Sequence, residues 1–362
     1  MKKILIASNH LQTGDGVCRI LISFANMLVE TGKYDVTITF MLRFDKSLLQ
    51  MFDKRIKIRR AFPFPCFKGY DRLMSFLPGR YLYNRVARKE KYDLEIGFCW
   101  RNPTIAISSS TNKDARHIIY THGSNPGREY YVKNDAMIAI SSESLKKYSK
   151  DIDNQIPIYR FSNIFDEQLI FKQADESPLF SKKDGRFLFV TVGRLTIEKG
   201  LDRMMNAAQK LYEEGYDFDI WHVGEGKDRK LLEDFIKDHH LEEKVTLLGN
   251  QPNPYPYMKQ ADCLVCASQT EGYSTACVES CILEVPFIST AVSGAQDIVD
   301  ESKAGKVFPN TEEGIYQGMK YVLDHKDELL SWKSNLKKTK TSFYKEGRKK
   351  ALLEILDKIE SM

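Results

Sequence analysis

The sequence predicts an α/β fold made of two Rossmann-like domains facing each other across a cleft. Three observations carry that prediction. Short β-rich runs alternate with helical stretches along the chain, the pattern of a parallel sheet covered by helices. The alternation starts afresh near residue 187, after a polar, turn-rich stretch running from Asp166 to Gly185. The 362 residues also suffice for two domains that each bury a core.

In the first half the strand-like runs are 4–8, 36–41, 94–98, 117–121 and 137–140. Between the first two, residues 19–31 place Ile20, Phe24, Met27 and Leu28 at helical spacing. The second half reads as a strand over 187–192, a helix over 201–214, a strand over 218–223, a helix over 229–239, strands over 245–248 and 263–267, a helix over 275–283 and a strand over 287–290. The last helix, about 346–359, puts Leu352, Leu353, Leu356 and Ile359 on one face and is expected to pack back onto the body. The expected domains are therefore 1–170 and 171–340, with 341–362 as a C-terminal helix.

Composition excludes several classes. Hydrophobic residues make up 42 % and charged residues 28 %, which fits neither a disordered nor a collagen-like chain. No apolar run approaches the ~18 residues of a membrane-spanning helix. After Met1-Lys2-Lys3 the apolar stretch is too short for a secretory signal and reads as a first buried strand. A cytoplasmic protein is expected. Cys263-x-x-Cys266 with Cys277-x-x-x-Cys281 has the outline of a four-thiolate zinc site. However, 261–267 is an apolar strand-like run whose positions three apart face opposite sides, so core thiols are expected instead.

The net charge of +5 hides an asymmetry. Residues 1–170 hold 27 Lys/Arg against 17 Asp/Glu, and residues 171–362 hold 27 against 32. The basic half points to an anionic partner, a membrane surface among the choices. Lys54, Arg55, Lys57, Arg59 and Arg60 precede the run Phe62-Pro63-Phe64-Pro65-Cys66-Phe67. Further on, Arg72, Arg80, Arg85 and Arg88 interleave with Leu73, Phe76, Leu77, Tyr81, Leu82 and Tyr83. Cations beside exposed rings suit an anionic bilayer. The same residues also fit an ordinary strand around Ile56 and Ile58 and a core helix with a basic rim. No nucleic-acid-binding module is recognisable, so no nucleic acid is expected.

Ligands of open α/β sheets bind beyond the carboxyl ends of the strands, which directs attention to the loops there. The first, Asn9 to Gly16, holds Gly14 and Gly16 and opens a helix, a loop whose amides can cradle a phosphate. The loop Gly193-Arg194-Leu195-Thr196-Ile197-Glu198-Lys199-Gly200 offers two cations near a helix start, suited to a diphosphate. It is not a P-loop, and no dinucleotide fingerprint follows the first strand. Gly249-Asn250 follows another strand. After 263–267 come Glu271, Gly272, Tyr273, then Ser274 and Thr275 placed to cap a helix, with Glu279 within it. Two carboxylates at that spacing can hold two hydroxyl-bearing parts of one ligand.

The stretch Glu271-Gly-Tyr-Ser-Thr-Ala-Cys-Val-Glu279 resembles the signature of retaining glycosyltransferases of the GT-B fold, in their large family four. The resemblance extends through Gly193-Arg194-Leu195, Glu198-Lys199-Gly200, His222-Val223-Gly224-Glu225-Gly226, Val285-Pro286 and Ser293-Gly294. In the first half, 92–98, Thr121-His122-Gly123 and 163–166 resemble bacterial capsule and exopolysaccharide members. The resemblance implies transfer of a sugar from a nucleotide-sugar donor, a UDP-sugar ahead of GDP-mannose, to a glycan or a lipid-diphosphate-linked sugar. By position, Arg194 and Lys199 bind the departing diphosphate, Glu271 contacts the donor sugar and Glu279 the ribose. His122 approaches the sugar, and the loop of Gly14 and Gly16 closes over the phosphates. Gly193, Gly224, Gly249, Asn250 and 272–275 complete the donor site. Such an acceptor implies an enzyme peripheral at the inner face of the plasma membrane.

No cofactor or metal is expected, because cations and helix N-termini stabilise the leaving charge. Asp217-Phe218-Asp219 has the form of a metal-binding Asp-x-Asp, but it leads into a strand. The chain departs from the family pattern at Asp15 between two glycines, at Cys18 and at Glu284, where glycine is common. A nucleotide-sugar epimerase on the same fold and a non-catalytic transferase-like partner are the alternatives.

Overall fold

The computed structural model describes residues 1–12, 16–63, 70–98, 101–122 and 127–362. Gly14, Asp15, Gly123 and the aromatic run 64–67 lie outside the described residues. The chain forms two compact units, Met1–Ile164 with Arg348–Met362, and Phe165–Gly347. Among the described residues no helix is long and apolar enough to cross a membrane.

The first unit is built on seven parallel strands, β1 (Lys2–Ser8), β2 (Tyr34–Phe40), β3 (Lys57–Arg60), β4 (Leu94–Phe98), β5 (Arg116–Thr121), β6 (Ala136–Ala139) and β7 (Ile158–Arg160). Their order in the sheet is β3-β2-β1-β4-β5-β6-β7. Strands covered on both faces need unbroken apolar runs, and β1 is buried throughout from Ile4 onward. The helix Gly16–Glu30 turns Ile20, Phe24, Met27 and Leu28 inward, and Phe24 packs against Phe98 and Tyr120 at 5.8 and 5.5 Å.

The second unit repeats the plan with β8 (Phe187–Val192), β9 (Phe218–Val223), β10 (Val245–Gly249), β11 (Cys263–Cys266), β12 (Phe287–Thr290) and β13 (Gly305–Phe308). These are parallel in the order β10-β9-β8-β11-β12-β13. The helix Leu201–Glu213 buries Leu201, Met204, Met205, Ala208 and Leu211, a stripe at helical spacing. Cys263, Cys266, Cys277 and Cys281 are buried free thiols inside this unit. Asp217 and Asp219 are taken up by ion pairs: Lys244 and Arg186 hold the first, and Arg186 reaches the second at 2.8 Å.

One sequence expectation needs correction. The domain boundary drawn between 170 and 171 falls inside a helix, Glu167–Ala174, that belongs to the second unit. The polar stretch read as a linker hides this element: Asp166 caps it by accepting from the Leu169 amide at 3.0 Å, and Asn253 Nδ2 donates to the Gln173 carbonyl at 2.8 Å. At the other end, residues 348–362 rejoin the first unit. There Leu352, Ile355, Leu356 and Ile359 of the helix Lys345–Glu360 are buried, and Glu360 accepts from the Tyr34 hydroxyl at 3.0 Å and pairs with Lys2. Glu284 has a backbone φ of 62°, the left-handed region that favours glycine, and its carboxylate is anchored by Lys340.

A charged cluster lies at the amino-terminal end of the first sheet, opposite the carboxyl ends of its strands. Glu95 is fully buried; its Oε1 accepts from the Tyr83 hydroxyl at 2.8 Å and Asn112 Nδ2 at 3.2 Å, and its Oε2 lies 3.4 Å from His117 Nε2. Burial, followed by the Glu95 charge, pushes the Tyr83 phenol up. Replacing Glu95 by Leu strands three polar partners, so Glu95→Leu is expected to cost about 3 kcal/mol, read as a lower urea midpoint at unchanged slope.

Candidate active site

The second sheet reverses direction at its centre. From β8 the chain moves to β9 and β10 on one side, and β11 begins the opposite side with β12 and β13. Loops leaving β8 and β11 therefore diverge, and the crevice beyond their carboxyl ends is the ligand position of this architecture. Lys199 lies in the loop after β8, at the end of the short turn Ile197–Lys199, and Glu271 lies in the loop after β11. Their side chains meet there, with Lys199 Nζ 2.6 Å from Glu271 Oε1. Ser268 Oγ donates to the same oxygen at 2.7 Å. The pair is only partly accessible, with side-chain exposures of 28 % and 16 %, so each charge depends on the other for solvation.

The loops on the β8 side are laced together by their backbones. The Gly193 amide donates to the Val223 carbonyl at 3.0 Å, Leu195 to Glu225 at 3.0 Å, and Gly224 to Gly249 at 2.9 Å. This packing leaves no room for a side chain at Gly224, where a Cβ would sit 1.8 Å from the Gly193 carbonyl oxygen. Arg194 stands exposed on the same loop as Lys199. The Glu198 carboxyl is held below its usual range, first by the Thr196 hydroxyl and also by the charges of Lys227 and Arg194.

On the β11 side, Ser274 caps the helix Thr275–Ile282, its Oγ accepting from the Cys277 amide at 3.4 Å. Gly272 and the buried Tyr273 lead into that cap, and Thr275 is the first helical residue. Glu279, in the same helix, accepts from the Tyr255 hydroxyl at 3.1 Å. Gly249 ends β10 and the exposed Asn250 follows it. Gly193, Arg194, Lys199, Gly224, Gly249, Asn250, Glu271 and 272–275 thus stand at or beyond the carboxyl ends of β8, β9, β10 and β11, and Glu279 lies in the helix that follows β11. Among them, the side chains of Lys199 and Glu271 meet.

In the first unit Gly16 opens the helix Gly16–Glu30, while Gly14 falls outside the described residues. His122 follows β5, its ring against Phe98 at 4.6 Å and Tyr120 at 4.5 Å. Ser268 and Tyr255, which hold the two glutamates, escaped sequence reasoning as functional residues. Ser268 lies just before the Glu271–Glu279 stretch that carries the signature, but Tyr255 is far from Glu279 in sequence and no spacing rule links them.

Comparison with known proteins agrees with the resemblance read from the sequence. Residues 173–339 match the family described as Glycosyl transferases group 1. An N-acetylgalactosamine-N,N'-diacetylbacillosaminyl-diphospho-undecaprenol 4-alpha-N-acetylgalactosaminyltransferase of Campylobacter jejuni is 31 % identical over 157 residues, 43 % of this chain and 42 % of that protein. The putative colanic acid biosynthesis glycosyltransferase WcaL of Escherichia coli is 29 % identical over 131 residues, 34 % of this chain and 32 % of the relative. The chain thus spans less than half the length of these curated relatives. Among solved structures, Anabaena HepE in complex with UDP and glucose aligns at a TM-score of 0.75 and 17 % identity, over 99 % of this chain and 100 % of that one. The fold is the GT-B type, with two Rossmann-like domains.

His222 supplies a test of the packing beneath the site. It lies in β9, 1 % exposed, and neither ring nitrogen has a hydrogen-bond partner of good geometry among the described residues. Burial, opposed weakly by the Gly193 backbone, lowers its pKa from 6.5 to about 4. The unfolded chain takes up that proton near 6.5 and the folded chain only near 4, so acid favours unfolding across this window. The unfolding free energy is expected to fall by about 1.4 kcal/mol per pH unit there, and His222→Phe to remove that slope in denaturant titrations at stepped pH.

Proposed function

With residues 173–339 belonging to the glycosyl transferases group 1 family, we propose that this chain moves a sugar from a nucleotide-sugar donor to a glycan or lipid-diphosphate-linked sugar, with retention at the anomeric carbon. The observation that carries the reading is the Lys199–Glu271 pair at the point where the second sheet reverses direction. A cation and a carboxylate at that point match the two ends of a sugar diphosphate. The anomeric C–O bond breaks with its electron pair leaving on the diphosphate, and the acceptor hydroxyl bonds to the carbon and gives up its proton to the departing diphosphate oxygen. Positive charge gathers on the sugar and negative charge on the diphosphate, so Lys199 and Arg194 lower the barrier by meeting the leaving group. Glu271 is suited to the sugar hydroxyls and Glu279 to the ribose. His122, from the first unit, is assigned to the donor sugar. No metal enters this scheme. A UDP-sugar is the favoured donor, in keeping with the UDP and glucose bound by HepE. The lipid-diphosphate acceptor in the Campylobacter relative's name and the polysaccharide in that of WcaL support a surface-glycan product.

The same reading brings the protein to an anionic membrane face, and the first unit narrows where. The basic cluster at 54–60 is largely spent on neighbours: Arg55 pairs with Asp53 at 2.7 Å, Lys57 with Asp35 at 2.8 Å and Arg59 with Glu90 at 2.8 Å. Beyond it, Leu73, Phe76 and Tyr81 are 62 %, 78 % and 48 % exposed. Arg72, Arg80, Arg88 and Lys89 stand exposed in the same stretch, where no acidic residue occurs from 72 to 89. Exposed apolar side chains among unopposed cations fit an anionic bilayer better than the paired strand does.

Two measurements test these readings. Thermal-shift titration with UDP, GDP, CDP and NAD, each with magnesium or EDTA, is expected to give a shift with UDP that EDTA leaves intact. A ligand at 100 times its Kd adds about 2.7 kcal/mol, and Arg194→Ala or Lys199→Ala should abolish most of it. Absence of a shift with every nucleotide would favour the non-catalytic partner. Separately, flotation with phosphatidylcholine vesicles doped with phosphatidylglycerol is expected to carry the protein, and Phe76→Asp to lower the bound fraction several-fold. Equal binding to undoped vesicles would defeat the electrostatic part of the idea.

A further inference from the structure

The loop that presents Glu271 is held by side chains from distant parts of the second unit. Thr290 Oγ1 donates to the Cys266 carbonyl at 3.3 Å and the Ser268 carbonyl at 2.6 Å. Arg203 Nη2 donates to the Ala267 carbonyl at 2.8 Å, and Asn310 Nδ2 to that of Gln269 at 2.8 Å. Four successive carbonyls are thereby tied. Arg203 does more than one share of this, because its Nη1 also reaches Asn310 Oδ1 at 3.0 Å and the Asn310 carbonyl at 3.3 Å. It holds one carbonyl directly and fixes the amide that holds another.

Arg203 also sits one turn from the other half of the pair. It lies in the first turn of the helix Leu201–Glu213, which begins after Lys199 and Gly200. Gly200 has φ 67°, and a Cβ there would lie 2.0 Å from the Ala267 carbonyl oxygen that Arg203 binds. Nearby, the Gln269 amide donates to the Glu198 carbonyl at 2.8 Å. The peptide at Ala267 is therefore the joint between the loop of Lys199 and the loop of Glu271. Next to it in sequence, Ser268 orients Glu271.

Resting on the proposed transfer, the geometry points to Arg203 as a positioning residue that sets the Lys199–Glu271 contact through the Ala267 carbonyl and Asn310. A guanidinium is suited to this because its planar fork donates to two separate loops in fixed directions. An ammonium at the same place has three protons but only one nitrogen, and lacks the two separated nitrogens that reach Ala267 and Asn310.

The test has one arm that needs no substrate. Brief acetylation with acetic anhydride, read by peptide mass spectrometry, reports the accessibility of Lys199 in its pair. Lys244, only 11 % exposed beside Asp217 in the same unit, reports general opening. Lys199 labelling is expected to rise several-fold in Arg203→Met, less in Arg203→Lys, and most in Glu271→Gln, with Lys244 unchanged. Unchanged Lys199 labelling in Arg203→Met overturns the proposal, and so does a parallel rise of Lys244 in both Arg203 variants, which marks a merely structural role. No rise in Glu271→Gln overturns it too, since the pair to be set is then absent.

The second arm is turnover of a UDP-sugar. Arg203→Lys is expected to lower kcat about tenfold with the donor KM little changed, and to have no further effect in a Glu271→Gln background. Additive losses would overturn the positioning role. A wild-type protein that neither binds a nucleoside diphosphate nor turns over a donor would sink the transfer reading while leaving the labelling arm to decide on Arg203.

Discussion

The second unit depends on a close ion pair that neither partner can leave at low cost. Lys199 and Glu271 meet at 2.6 Å in partial shelter from water, where an unmatched charge is destabilising. Yet they come from loops on opposite sides of the reversal in strand order, which the sheet itself drives apart. Something must hold those loops in register to within a fraction of an ångström. The structure does this in two ways: by backbone packed so tightly that a Cβ at Gly200 or Gly224 would collide with a carbonyl, and by side chains that tie the carbonyls of 266–269. Gly200 and Gly224 are best read as space for this packing.

This division explains what was legible in the sequence. Parallel strands buried on both faces leave apolar runs, and helices that cross over them leave stripes, so the two sheets could be read from 4–8, 94–98, 187–192 or 218–223 with small end errors. The loops after those strands, and the eight-residue step from Glu271 to Glu279, were legible for the same reason, since the chemistry follows the strand ends. Arg203, Thr290 and Asn310 were not. Each acts on a carbonyl far away in sequence, and a carbonyl is the same in every residue, so no local pattern marks its partner. The edge of the second unit was missed because the capped helix Glu167–Ala174 is too short and polar to show a stripe.

Charge needed the structure as well. The excess of basic residues in the first half was real, but its most conspicuous cluster lies on β3 and the turn before it, where Arg55, Lys57 and Arg59 pair with Asp53, Asp35 and Glu90. Exposed ion pairs of this kind contribute little to stability, but they do cancel the local field. What remains unopposed is the stretch from Arg72 to Lys89, where apolar side chains are also exposed. The counts gave the sign of the excess charge, and the pairing moved its unopposed part along the chain. Similarly, Glu284 departs from the family's glycine while keeping the left-handed backbone that glycine serves, with Lys340 to anchor the carboxylate.

The identity of the two cations follows from the pair itself. An ammonium has three protons to donate; Glu271 Oε1 takes one, leaving two for a diphosphate oxygen without breaking the pair. A guanidinium at 199 would lock onto the carboxylate through two parallel bonds and present its remaining edge in one fixed direction. Under the proposed roles, lysine therefore suits a position that serves both the carboxylate of Glu271 and a leaving diphosphate. Arginine suits 194, which stands exposed on the same loop and is free to meet a phosphate edge-on. In the proposed transfer, donor binding adds contacts to an ion pair that is already formed, so the reading calls for no rearrangement of Lys199 and Glu271 before the C–O bond breaks.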